Sequence, residues 1–137
     1  MNLKPNKMKK VSLFIVFSLL ACLSQAQSIG DKWKELKEFH GVMSQTFHPS
    51  EEGNLEPIKK RSTEMAEKAA TLAKSAIPKE FDTPKVRDAV KRLNEGGKKL
   101  DKLVKSKKAS DEQIKKDLAA LHDIFHEIVG LCRNENH

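Results

Sequence analysis

Apolar residues along this chain recur in steps of three and four, which places them on one face of a helix. In the first segment the stripe is Ile29, Trp33, Leu36, His40, Met43 and Phe47. It predicts a helix from about Asp31 to His48, stopped by Pro49 and the turn-forming Glu51-Glu52-Gly53-Asn54. A second helix starts near Asn54, carries Pro57 in its first turn and runs to about Ala76. Its inward positions are Ile58, Ser62, Met65, Ala69, Leu72 and Ala76. Thr83-Pro84 reads as an N-cap followed by a first-turn proline. The third helix then continues to about Lys107, with Val86, Val90, Leu93, Gly97, Leu100 and Val104 inward. Ser110 and Gln113 form a capping-box pattern for a fourth helix to about Arg133. Its stripe is Ile114, Leu118, Leu121, Phe125, Ile128 and Cys132.

All four stripes keep the same spacing, the period of helices packed at about 20°. Short connections make successive helices antiparallel. No alternating, β-rich run competes. The pattern predicts an all-α fold, an antiparallel up-down-up-down four-helix bundle occupying residues 27–137.

The residues that interrupt this pattern carry the chemistry. His40 and Met43 lie on the apolar stripe of the first helix, so both are expected to face inward. His122 and His126 are one turn apart on the fourth helix, a spacing at which two imidazoles can share a metal ion. His122 flanks its stripe and His126 lies further out. Pairing antiparallel helices end to end brings His40 level with residue 124, between the two histidines. The same count places Met65 beside Gly96-Gly97, at the same depth. His40 and His122 are therefore expected within about 10 Å of each other, given a rise of about 1.5 Å per residue. Two mid-helix glycines each cost about 1 kcal/mol relative to alanine. They imply close helix packing, a kink, or room for a flat cofactor. His48 closes the first helix, where a cation suits the dipole, or joins Glu51 and Glu52 in a peripheral zinc site.

The N-terminus sets the compartment. Lys4, Lys7, Lys9 and Lys10 precede an apolar run from Val11 to Leu23, and Ser24-Gln25-Ala26 supplies the small residues of a cleavage site. Residues 1–26 read as a bacterial signal peptide, and the mature chain as periplasmic. The alternative is a lipoprotein signal, Leu19-Leu20-Ala21-Cys22, which would anchor the protein to a membrane through Cys22. Cleavage after Ala26 removes four lysines and no acid, lowering the net charge from +7 to +3. Export together with that modest excess, dispersed over helix surfaces, argues against nucleic acid as a partner. Cys132 is then the one remaining cysteine and fits the core stripe as a buried thiol.

Leu121-His122-Asp123-Ile124-Phe125 resembles the last helix of cytochrome c-prime, in the superfamily that includes soluble b-type cytochromes. The resemblance implies an exported four-helix bundle with His122 as a haem ligand and Met43 as the first-helix methionine. Leu118 and Leu121 stand where that family has its haem-attaching cysteines, so any haem would be b-type and non-covalent.

These readings lead to one functional expectation with two alternatives. The expectation is a haem-binding periplasmic bundle for electron transfer or haem carriage, with a redox partner protein as its counterpart. His122, Met43, His40, Met65, Gly96 and Gly97 would form its pocket. The first alternative is a copper or zinc binder using His40, Met43, His122 and His126. The second is a structural or interaction bundle without cofactor. No nucleophile–base pair, phosphate loop or paired-carboxylate site stands out, so the chain is not expected to be an enzyme.

Overall fold

A computed structural model describes residues 28–134; the signal-peptide and Cys22 readings lie outside these residues. The described chain is all-α, with four long helices: α1 (Lys34–Glu51), α2 (Glu56–Lys74), α3 (Pro84–Lys105) and α4 (Asp111–Asn134). A helical turn over 28–32 precedes α1, and a 3-10 turn, Lys79–Phe81, links α2 to α3.

The ends of these helices follow local chemistry. Thr83 Oγ1 accepts from the Val86 N–H at 3.3 Å and caps α3. Ser110 Oγ accepts from the Gln113 N–H at 3.1 Å and caps α4. The reciprocal half of that capping box is not made, because the Gln113 side chain donates to Asp117 at 2.8 Å instead. Pro49 does not stop α1. It lies inside the last turn, and the helix runs on to Glu51. There Gly53, at φ 85°, and Asn54 donate to the carbonyls of Ser50 and Pro49. This is a Schellman termination, and Gly53 supplies its left-handed residue. A proline so near the C-terminus removes only one ladder hydrogen bond.

The stripes of α2 and α4 are buried as expected, with the exception of Ala76 at the end of the second. In α3, Val86, Val90, Leu93, Gly97 and Leu100 are buried and Val104 is half-buried. The α1 stripe is rotated. Its core face is Leu36, Phe39, Val42, Met43, Thr46 and Ser50, while His40 is exposed and Phe47 half-buried. The inward placement of His40 is therefore corrected. The cause is a break at Trp33 (φ −130°, ψ 87°), which uncouples Ile29 and Trp33 from the phase of the helix that follows. Thr46 and Ser50 tolerate burial because their hydroxyls donate to the Val42 and Phe47 carbonyls, at 2.9 and 2.6 Å.

Trp33 fixes one end of the molecule. Its ring lies 6.4 Å from that of Phe81, and its Nε1–H donates to Ser75 Oγ at 3.3 Å. Successive helices pack extensively on each other, and α1 meets α4 along a sparser seam. Cross-helix pairs descend on one helix as they ascend on the next. Glu38 bonds Lys68 and Gln45 bonds Arg61; Arg92 bonds Glu127 and Lys99 faces Asp117. Among the described residues no helix is long and apolar enough to cross a membrane.

Candidate metal site at the α1–α4 seam

The sparse seam is where the histidines gather. On α1, His40 and Phe47 are seven residues apart and face α4, where His122, Phe125 and His126 answer them. His40 stacks on Phe125, with centroids 4.9 Å apart and planes at 4°. Phe47 stacks on His122, with centroids 3.7 Å apart and planes at 10°. Phe125 is buried and contacts Phe39 on its core side, so it anchors the ring array to the interior. Stacked rings of this kind contribute about 0.5–1.5 kcal/mol each beyond the area they cover. They also hold the imidazole planes in fixed orientations.

His122 and His126 meet edge to face, and their Nε2 atoms are 3.0 Å apart. At that distance one nitrogen donates a proton to the other, or both lone pairs face a shared cation. A tetrahedral ion with Zn–N near 2.0–2.1 Å places neighbouring nitrogens about 3.3 Å apart, and a square-planar ion places them about 2.8 Å apart. The observed separation lies between the two. The spacing of the two nitrogens is thus compatible with a bidentate chelate as well as with an imidazole–imidazole hydrogen bond.

The electrostatics favour neutral rings. Burial lowers the pKa of His40, and the charges of His126 and His48 lower it further. Burial also lowers that of His122, with His126 and His48 adding to the effect and Asp123 and Glu51 opposing it. A neutral imidazole is the form that binds a metal.

The depth count holds. His40 is level with Phe125, and a Cβ built on Gly97 would lie 3.9 Å from the Met65 carbonyl oxygen. The lateral placement differs from expectation. Met43 and Met65 have no exposed surface and belong to the core, whereas His40 and His126 are exposed on the seam. The expected set of His40, Met43, His122 and His126 is thus divided between core and surface. Among the described residues, no group of three or more His, Cys, Asp or Glu side chains is gathered around one metal position. The pair on α4 is the part of the set whose ring nitrogens lie within contact distance of each other.

The glycines make close helix contacts. A Cβ at Gly97 would lie 3.2 Å from the Ala69 Cβ and 3.4 Å from the Ala66 Cα, and one at Gly96 would lie 2.9 Å from the Leu121 Cδ1. The room they leave is filled by α2 and by Leu121, so at this level the packing leaves no slot for a flat macrocycle. The expected haem pocket of Met43, Met65, Gly96 and Gly97 does not fit that group. A surface recess of about 470 Å³, lined by residues including Ala73, Ile77, Val90 and Asn94, contains no histidine.

The stacking partners were the part the sequence concealed. Phe47 reads as core from its spacing, yet it is half-buried and lies over His122. Its position seven residues after His40 and next to His48 was the available signal. Comparison with protein-family models, curated proteins and solved structures finds no match to this chain.

Proposed function

We propose that this chain is an exported transition-metal-binding protein that holds one copper or zinc ion through His122 and His126, with His40 beside them. The observation that carries this reading is the 3.0 Å separation of two imidazole nitrogens on one helix, each ring braced by an aromatic or imidazole neighbour. Preorganised ligands bind more tightly because less conformational freedom is lost on binding. The scaffold is read as an up-down-up-down bundle, supported by the opposed order of its cross-helix pairs and its short connections. Export is read from residues 1–26, so the protein meets its metal outside the cytoplasm. The role is binding or carriage rather than turnover.

Calorimetric titration with Zn(II) and Cu(II) tests the reading. His122→Ala and His126→Ala are expected to weaken binding by similar factors, since each removes one ligand. Binding that is indifferent to both substitutions would overturn it. A visible spectrum of protein purified from its native compartment addresses the haem alternative. A Soret band there would replace the metal reading.

A further inference from the structure

The fold gathers charge that looks dispersed along the chain. Residues 98–116, the end of α3, its turn and the start of α4, hold eight lysines against Asp101, Asp111 and Glu112, a net charge of +5. The rest of residues 27–137 carries −2, so this one corner supplies more than the whole excess. All eight lysines are exposed. Two of the three acids are already engaged. Asp101 accepts from Lys105 at 2.8 Å and also from Ser62 and Thr63, and Asp111 accepts from Lys59 of α2 at 2.7 Å. Lys99 and Lys105 reach Asp117 and Asp101. Among the described residues, Lys98, Lys102, Lys107, Lys108, Lys115 and Lys116 form no ion pair. The bonds from α2 to Asp101 and Asp111 hold the α1–α2 turn at the same end, and that turn carries Glu51, Glu52 and Glu56. The end is thus polarised, acidic beside α1 and basic along α3 and α4.

We propose that this basic corner docks the protein on an anionic phospholipid surface. Residue choice favours a bilayer over other polyanions. Every cation in 98–116 is a lysine and none is an arginine. An ammonium is a point charge suited to a diffuse field, whereas recognition of a single phosphate favours the guanidinium fork. No aromatic residue lies in 98–116 on which a nucleic-acid base could stack. Leu103, Val104 and Ala109 are packed against the core, so the corner offers no apolar anchor for insertion. The contact is adsorption through the field of the lysines, which acts over about 8–10 Å at physiological salt. Each lysine near an anionic surface raises partitioning about fivefold.

Co-sedimentation with vesicles tests this, using protein purified from its native compartment. Vesicles of phosphatidylcholine with added phosphatidylglycerol should retain the protein at about 0.05 M salt and release it at about 0.5 M. Vesicles of phosphatidylcholine alone should not retain it. Lys102→Gln/Lys108→Gln/Lys115→Gln should lower partitioning about 100-fold, with a nearly unchanged melting curve because all three residues are exposed. Lys74→Gln/Lys79→Gln/Lys85→Gln removes the same charge at the other end of α2 and α3 and should lower it less than about fivefold. Equal losses from the two triple variants would overturn the corner as the docking face. Retention by neutral vesicles or at high salt would overturn adsorption and indicate a lipid anchor or insertion. No retention at low salt would overturn the proposal outright. So would tighter binding to a short DNA duplex than to the anionic vesicles at equal phosphate, which would make nucleic acid the partner.

Discussion

Gly97→Leu is the perturbation that separates a packed interior from a ligand pocket. A Cβ at this position would already press on Ala69 at 3.2 Å and on the α2 backbone, through the Ala66 Cα, at 3.4 Å. The three further carbons of leucine would have to push α2 and α3 apart at this contact. Overpacking costs about 1–3 kcal/mol, and because the contacts here are backbone and a Cβ that cannot swing aside, the upper part of that range, about 2–3 kcal/mol, applies. Leucine regains about 1 kcal/mol of helix propensity, so the net loss should be near 1–2 kcal/mol. For a domain of this size that is a fall of about 4–15 °C in melting temperature. Thermal and urea unfolding followed by circular dichroism, without added metal, measures it. Gly41→Ala is the control, because nothing lies within 4 Å of the added Cβ. It should stabilise by up to about 1 kcal/mol. A Gly97→Leu protein as stable as the parent would refute the reasoning, since it would mean that the interior holds unoccupied space there.

Three further outcomes follow from the seam and the core. Phe47→Ala removes the ring stacked on His122 at 3.7 Å; metal affinity should fall about tenfold while both α4 ligands remain, as calorimetry will show. Asp101→Ala leaves Ser62, which is buried and donates to that carboxylate at 2.9 Å, without its acceptor, and should cost about 1–3 kcal/mol in urea unfolding. The metal-free protein should lose stability on acidification. His40 and His122 titrate below 6.5 when folded, so the unfolded chain binds more protons as pH falls. Their contribution is present above pH 6.5 and disappears as the pH drops through the lowered folded values. A His40→Gln/His122→Gln protein should show a flatter pH profile of urea midpoints.

Much of the fold was legible because three helices carry both their stripe and their punctuation in sequence. Thr83-Pro84 and Ser110 start helices where expected, and the α4 stripe is buried throughout. The first helix misled for two local reasons. Trp33 breaks the helix and shifts its phase, which a continuous three–four count cannot register. Thr46 and Ser50 are polar in sequence but self-satisfied in the core, so the true stripe looked less apolar than the false one. That phase error turned His40 inward and gathered it with Met43. The His122/His126 spacing survived it, because an i, i+4 relation on one helix depends on no neighbour. What spacing could not supply was the aromatic bracing, which arises only when α1 and α4 meet.

The central claim is that the α4 pair is a metal chelate. A crystal structure of the zinc-loaded protein, with an anomalous difference map at the zinc edge, tests it most directly. The account predicts a single strong peak about 2.0–2.1 Å from the Nε2 atoms of both His122 and His126. A peak bound elsewhere, or no peak beside an unchanged Nε2–Nε2 contact, would contradict it.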